Sequence, residues 1–418
     1  MNVILDVNPL GIGFYHRQAQ TGVSRVVEQL LTGLEQRTDV NLSVAAPTHL
    51  AENMRYVQDR LGGAAPTFVN RSTERQWGRV ENALLSPFAV SSLPSKVIRE
   101  AFYRTKKLLH TDEARLDPTQ WAANSIYHSP FYPIPEAVRK NKSVRTVQMI
   151  HDLIPIFHPE WFPTGDSTVR DVLETLPPDA HVITASEATK QDFCNYTKAD
   201  SSRVTPIHLA ASPALFHPVT DEGKKQSIRA KYGLGDAPYL LSLATFEPRK
   251  NTDHLIRCFV QLVQSGEIPA DVKLVLVGTK GWKFDKIMDE LSRNQELRSR
   301  LVVTGFVPNE ELAPLYSGAL SFVYPSLFEG FGLPPLEALQ CGMPVITSTI
   351  PAIEEVVGDA AIKVSPTDVD ALCQAMMTVV TSSSTRNSLS AKALERASLF
   401  SWDKFITEHV ALYKRILS

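Results

Sequence analysis

Apolar residues fall along this chain in short β-branched runs that alternate with stretches of helical spacing. "NVILDV" (Asn2–Val7) reads as a buried strand. A loop follows, and then Val23, Val26, Val27, Leu30, Leu31 and Leu34 recur on one helix face, with Thr21 or Ser24 placed to cap it. "NLSVAAP", "SIYHSP", "VRTVQMIHDLIP" and "HVITAS" predict further strands. "SEATKQDFCNY" predicts a helix capped by Ser186, with Thr189 three residues on.

From Ser212 to Ala237 the rhythm stops in favour of prolines, charges and a Gly-Leu-Gly. It then restarts. "YLLSLAT", "VKLVLVG", "RLVVTGFV", "LSFVYPS" and "PVITS" read as strands. Between and after them, "NTDHLIRCFVQLVQS", "FDKIMDELSRN", "NEELAPLYSGA", "PPLEALQCG" and "DVDALCQAMMTVVTS" read as helices. Strands alternating with helices predict α/β architecture with doubly wound parallel sheets, whose ligands sit at the carboxyl ends of the strands. The expected organisation is a Rossmann-like domain over 1–212, a linker over 213–237, a second Rossmann-like domain over 238–400 and a terminal helix over 401–418. The two domains would face each other across a cleft.

One stretch breaks the alternation. Residues 66–118 read as a helical insertion in the first domain. Its cations Arg99, Arg104, Lys106 and Lys107 are interleaved with Phe102, Tyr103, Leu108 and Leu109. That pattern fits a helix packed on the domain with solvated cations, or a basic amphipathic surface that touches an anionic membrane.

Composition narrows the classes. With 418 residues, 43% hydrophobic and 21% charged, the chain has material for two cores. A formal net charge of −2 gives no pointer to nucleic acid. No run approaches the roughly 20 apolar residues of a membrane span, and "MNVILDVNPL" lacks the basic start of a signal peptide. Cys194, Cys258, Cys341 and Cys373 are scattered, so zinc and disulfide frameworks are not expected and a reducing, cytoplasmic setting is.

A nicotinamide fingerprint is broken three times: His16, Pro238 and Pro335 stand where the third glycine belongs after Gly11-Ile12-Gly13, Gly233-Leu234-Gly235 and Gly330-Phe331-Gly332. No P-loop is present. Asp368-Val369-Asp370 has the spacing of a metal-diphosphate pair but opens a helix, where aspartate caps. "TFEPRKN" (Thr245–Asn251) follows the first strand of the second domain, so Arg249 and Lys250 fall at the cleft edge, where cations pair with phosphate. "SLFEGFGLPPLEALQ" joins a strand end to a helix start. There Gly332 and Leu333 would present free amides to a phosphate. Glu329 and Glu337 would offer carboxylate oxygens to sugar hydroxyls.

The block "SLFEGFGLPPLEALQCGMPV", with Glu, seven residues, Glu, resembles that of the retaining two-Rossmann-domain (GT-B) glycosyltransferases of family 4. "TGVSRVVEQLL", "MIHDLIPIFHPEWF", "LATFEPRKN", "LVVTGFVPNEELAPLYSGA" and "FSWDKFITEHVALYKRIL" resemble that family's other blocks, so the likeness spans nearly the whole chain. The resemblance implies a terminal helix that crosses back onto the first domain. It implies transfer from a nucleoside diphosphate sugar with retention at the anomeric carbon, without metal or other cofactor. It places Glu329 on the donor sugar with Gly330 and Phe331 beside it, and Glu337 on the ribose. Arg249 and Lys250, after Thr245, would hold the diphosphate together with amides of Gly332, Leu333 and Gly22. Backbone at Phe306 and Val307 would meet the base, and His151 would lie beside the donor sugar from the first domain, leaving Asp152 to cap or orient its loop.

"HDLIPIFHPEWF" resembles most the mannosyl and rhamnosyl transferases of bacterial polysaccharide assembly. GDP-mannose is therefore the expected donor, with UDP-glucose, UDP-N-acetylhexosamines and dTDP-rhamnose as alternatives. The expected acceptor is a saccharide or lipid-linked saccharide bound by the first domain. The expected setting is cytoplasmic, with peripheral contact at the inner face of the plasma membrane. A hydrolysing nucleotide-sugar epimerase and an inactive scaffold are the rival readings. The first should lack the Glu-x7-Glu block, and the second usually loses the Arg, Lys or Glu positions.

Overall fold

The computed structural model of the chain describes residues 1–15, 22–88, 92–108, 115–118, 121–162, 168–278 and 295–418. The helix expected over 284–294, His16, the cap candidate Thr21 and Leu109 lie outside the described residues.

Two parallel sheets form. In the first, β1 (Asn2–Asp6), β2 (Asn41–Ala45), β3 (Thr67–Phe68), β4 (Ser125–Ser129), β5 (Val144–Ile150), β6 (His181–Thr184) and β7 (Val204–Pro206) take the order β3-β2-β1-β4-β5-β6-β7. In the second, β8 (Tyr239–Leu243), β9 (Lys273–Val277), β10 (Leu301–Gly305), β11 (Ser321–Tyr324), β12 (Val345–Ser348) and β13 (Ala361–Val364) take the order β10-β9-β8-β11-β12-β13. In each sheet the order reverses beside the first strand of the half, β1 or β8. That is where a doubly wound sheet opens a ligand crevice. The second crevice therefore lies between the ends of β8 and β11, which carry "TFEPRKN" and "SLFEGFG".

Three segments depart from expectation. The stretch after β1 is a helix, Asn8–Tyr15, rather than a loop. Pro9 suits its first turn, Asp6 Oδ1 accepts the Asn8 amide at 2.9 Å, and Asn53 Oδ1 accepts the Gly11 amide at 2.8 Å. Gly11-Ile12-Gly13 is thus helix, not a phosphate loop. The insertion starts later than Pro66, because Thr67–Phe68 is an edge strand pairing with β2. Its two ends meet where Asn70 bridges Leu116, and the helices Ser72–Leu85 and Leu93–Leu108 lie between them. The segment read as linker holds a helix, Glu222–Lys231, capped by Asp221 and tied to Glu311 through Lys231 (2.6 Å) and Tyr232 (2.6 Å).

The terminal helix, Trp402–Leu417, is capped by Ser401 and buries Phe405, Ile406, His409, Val410, Leu412 and Tyr413. This stripe lies on the first half of the chain. Tyr413 Oη shares a hydrogen bond with His128 Nδ1 at 2.6 Å, Lys414 pairs with Asp39 at 2.7 Å, and Arg415 reaches Thr205 at 2.9 Å. Burial pushes the His409 imidazole down to about 4, so it is neutral where it packs.

The helix crossing depends on Gly33. A Cβ there would lie 2.4 Å from Ile406 Cγ1. In an open helix Gly→Ala adds up to about 1 kcal/mol of stability. Here Gly33→Ala is expected to cost about 1–3 kcal/mol through overpacking. Gly33→Ala combined with Ile406→Ala should cost less than the sum of the two single changes. Thermal and urea denaturation of the three variants measure this.

Candidate active site

At the carboxyl edge of the second sheet, β8 leads into a short turn, Pro248–Lys250, and β11 leads into Pro325–Gly332. Because β8 and β11 are neighbours, these two loops pack together. The Leu327 amide donates to the Arg249 carbonyl at 2.7 Å, and Asn251 Nδ2 donates to the Pro325 carbonyl at 3.0 Å. Backbone contacts thus fix the distance between the cationic pair and the first glutamate.

Glu329 sits at the junction, its side chain 9% exposed. Lys250 Nζ is 2.5 Å from Oε1, and Arg249 Nη1 is 3.0 Å from Oε2. Tyr324 and Ser326 hydroxyls donate to Oε1, each at 2.7 Å. Burial pushes this carboxyl up, but Lys250 and Arg249 outweigh it and hold the group down at about 2. Arg249 Nε also pairs with Glu247 at 2.9 Å. In the free protein the two cations are therefore already compensated and oriented.

One residue on, the chain passes under the first domain. A Cβ at Gly330 would lie 2.1 Å from the His151 carbonyl oxygen and 2.8 Å from Asp152 Cβ, so only glycine permits this approach. The Gly330 carbonyl accepts the Ser186 hydroxyl at 2.7 Å and the Thr189 hydroxyl at 3.0 Å. Ser186 also caps its own helix, Glu187–Thr197. His151 Nε2 lies 2.9 Å from the Pro130 carbonyl, which can only accept, so Nε2 carries the proton and Nδ1 keeps its lone pair. Burial lowers this imidazole to about 4. Asp152 Oδ1 accepts the Ile154 amide at 2.9 Å, a local cap. His151, Asp152, Val23 and Arg249 line a cavity of about 160 Å³.

Gly332 takes φ 122° and caps the Leu333–Gln340 helix, whose first turn holds Pro334 and Pro335. Gly22, at the start of the Gly22–Glu35 helix, faces this start: a Cβ there would meet Leu333 Cδ1 at 3.2 Å. Glu337 is buried on the same short helix. It pairs with Arg25 at 2.5 Å and lies 3.4 Å from the Tyr316 hydroxyl.

The glycosyl transferases group 1 family model matches residues 224–396. The O-antigen chain mannosyltransferase B of Escherichia coli is 31% identical over 329 residues, which cover 75% of this chain and 82% of the relative. The chain belongs to the glycosyl transferases group 1 family. The serotype-specific mannosyltransferase WbdA of Escherichia coli is 33% identical over 291 residues, 68% of this chain but 35% of the relative, so the chain spans about a third of that protein's length. Two solved structures share the fold of this glycosyltransferase. Sucrose-phosphate synthase from Thermosynechococcus elongatus has a TM-score of 0.67 at 18% identity, covering 100% of this chain and 99% of its own. HepE of Anabaena, crystallised with UDP, has a TM-score of 0.66 at 15% identity, covering 99% of each chain. The architecture is GT-B.

The glycosyltransferase brings Arg249, Lys250 and Glu329 into one cluster, Gly330 against His151, and Gly22 against Leu333. Phe331 is buried beside His208 and Phe400. The remaining candidates stand apart from the cluster. Thr245 is exposed beyond β8, Phe306 is 51% exposed, and Val307 is buried beyond β10, two strands from β8. Asp368 caps the Val369–Thr381 helix through the Ala371 amide. The sequence reading missed Arg25, Tyr324, Ser326 and the Ser186–Thr189 pair as partners of this edge. It also missed Glu355, which accepts the amides of Glu187 (2.8 Å) and Ala188 (2.6 Å) from the second half.

Removing a partner from a buried ion cluster leaves an uncompensated charge. Glu329→Gln is expected to cost about 3–5 kcal/mol in urea unfolding. Lys250→Met together with Glu329→Gln should cost less than the sum of the two, because each single change strands the other group.

Proposed function

We propose that the chain is a retaining, metal-independent hexosyltransferase. It moves a mannosyl group from GDP-mannose to a saccharide or lipid-linked saccharide in cell-surface polysaccharide assembly. The observation that carries this reading is the cluster of Arg249, Lys250 and Glu329 beside the glycine-capped start of the Leu333–Gln340 helix, directly under His151. The mannosyl choice rests on the relatives that are named mannosyltransferases.

In this reading the diphosphate competes with Glu247 and Glu329 for the two cations and gains amides of Gly332, Leu333 and Gly22. The helix start adds roughly half a positive charge. Glu329 accepts hydroxyls of the hexose, Glu337 accepts those of the ribose, and backbone at Phe306 and Val307 meets the base. The bond from the anomeric carbon to the diphosphate breaks, and the acceptor oxygen bonds on the same face. The acceptor's proton passes to the departing phosphate oxygen. Arg249, Lys250 and the helix amides stabilise the charge that grows on that leaving group, in place before the reaction starts. These groups supply the positive charge that a metal would otherwise bring, while Asp368 of the Asp-x-Asp is engaged as a helix cap.

The test is a panel of nucleotide sugars with mannoside acceptors, read by product mass and anomeric NMR. GDP-mannose is expected to give an α-mannoside, with a rate unchanged by EDTA. Arg249→Ala should still fold, at reduced stability because it removes one partner of the buried Glu329, and lose about 10²–10³-fold in kcat. An inverted product, an EDTA-sensitive rate, or a folded Arg249→Ala enzyme with near-normal turnover would contradict it. Sugar release or epimerisation without transfer would favour an epimerase.

The same reading places the first domain at an anionic lipid surface. No helix among the described residues is long and apolar enough to cross a membrane. Yet seven of the thirteen exposed large hydrophobic side chains among the described residues fall between Trp77 and Leu108, including Leu93 (74%), Val97 (60%) and Leu108 (80%). Lys96, Arg104 and Lys107 are exposed on the same helix. Apolar side chains and cations on one helix match an interfacial amphipathic element. Vesicles containing anionic lipid should bind the protein at low salt and release it at high salt. No binding at low salt would remove this part of the reading.

A further inference from the structure

Glu337 is a carboxylate on the second half of the chain whose cation comes from the first. Arg25, in the first turn of the Gly22–Glu35 helix, places Nη1 2.5 Å from Glu337 Oε1 and donates from Nη2 to Asn309 Oδ1 at 3.0 Å. Its guanidinium stands 5.7 Å from the centre of the Phe216 ring. The Glu337 side chain is 4% exposed and that of Arg25 29%. Among the described residues, the other titratable groups facing Glu337 are Tyr316, whose hydroxyl is 3.4 Å from Oε2, and Cys341 on the same helix segment. Neither carries positive charge. Burial pushes the Glu337 carboxyl up, and the Arg25 charge pulls it only part of the way back, so it stays raised. Without Arg25 the same burial would act with that opposing charge removed.

Ionisation matters for what Glu337 can hold. A carboxylate accepts hydrogen bonds at both oxygens, whereas a protonated carboxyl must donate at one. A vicinal diol presents two donors side by side, and the ionised form meets both. Room for a ligand adjoins the Arg25 side of the pair: a cavity of about 490 Å³ is lined by Arg25, Asn309, Leu333, Tyr56 and Trp402. Arg25 Nε is buried with no hydrogen-bond partner among the described residues, which leaves one donor of this guanidinium unspent.

We propose that Arg25 is a positioning residue for the donor ribose, holding the Glu337 carboxylate ionised and aimed from across the cleft. The proposal rests on the reading above that Glu337 meets the ribose of a nucleoside diphosphate sugar. It adds that the ribose site is complete only when the two halves are closed on each other. Donor binding and domain closure are then one event.

Calorimetric titration of GDP and 2′-deoxy-GDP tests it, using the native protein, Arg25→Lys and Arg25→Met across about pH 5.5–8.5, above the ordinary carboxylate range. The quantity read is the ratio of native to variant affinity, which cancels the titration of the ligand's own phosphate. Arg25→Met is expected to weaken GDP about tenfold or more at the acid end, the size of one charge-assisted hydrogen bond. The ratio should shrink as pH rises and Glu337 ionises unaided. Arg25→Met should also lose much of the native preference for GDP over its 2′-deoxy form, and Arg25→Lys should restore part of both.

Native-like binding by Arg25→Met overturns the proposal, as does an equal, pH-independent loss for both ligands. A native protein that binds GDP without regard to the 2′-hydroxyl overturns it while leaving the diphosphate reading standing. A native protein that binds no nucleoside diphosphate, with UDP tried beside GDP, overturns that reading and the proposal together.

Discussion

Glu329 shares a nearly dry pocket with Lys250 and Arg249, and the carboxyl edge of the second sheet is arranged around that fact. Charges at this depth persist only when paired and hydrogen-bonded. Lys250, Tyr324 and Ser326 meet one oxygen and Arg249 the other. The cost of burying two cations is thus met before any ligand arrives. What is left is a pair of cations whose directions are set. A diphosphate can enter such a cluster without first ordering it, which is the physical content of electrostatic preorganisation.

The same loop closes the molecule. Immediately after Glu329, the backbone of Gly330 touches the His151 carbonyl and accepts hydroxyls from Ser186 and Thr189. Glu355 reciprocates by capping the Glu187–Thr197 helix and meeting His208 at 3.2 Å. Beside these polar contacts, the rings of Phe157 and His158 meet Phe328, and His208 meets Phe331. Arg25 and Glu337 add one ion pair. Contacts of this kind orient two domains without welding them, in contrast to the apolar stripe by which the terminal helix holds the first. In the proposed function, a cleft that admits a donor and releases a nucleotide uses that distinction.

Much of this was legible in the sequence because it follows local rules. Helical spacing from Val23 to Leu34, the Ser186 cap and the strand–loop–helix around Gly332 are each specified within about ten residues. The alternation of elements then fixes the parallel sheets, and the switch points place Arg249, Lys250 and Glu329 at one edge. Three kinds of feature were not legible. Two- to four-residue strands such as Thr67–Phe68, Val204–Pro206 and Ala361–Val364 are too short to show a period. The Asn8–Tyr15 helix has only Asp6 and Pro9 as local signals and is held by Asn53, 42 residues on from Gly11. Arg25 looks like any cation on an amphipathic helix until the fold brings Glu337, 312 residues away, beneath it. Pairings across the cleft are a property of the closed pair of sheets, not of either motif.

The central claim is that this edge holds a nucleoside diphosphate through Arg249 and Lys250. Calorimetric comparison of GDP with GMP on the native protein isolates the β-phosphate. Two charge-assisted contacts at roughly 1.5–3 kcal/mol each predict that GDP binds at least about 100-fold more tightly than GMP. Equal affinity for the two would contradict the account.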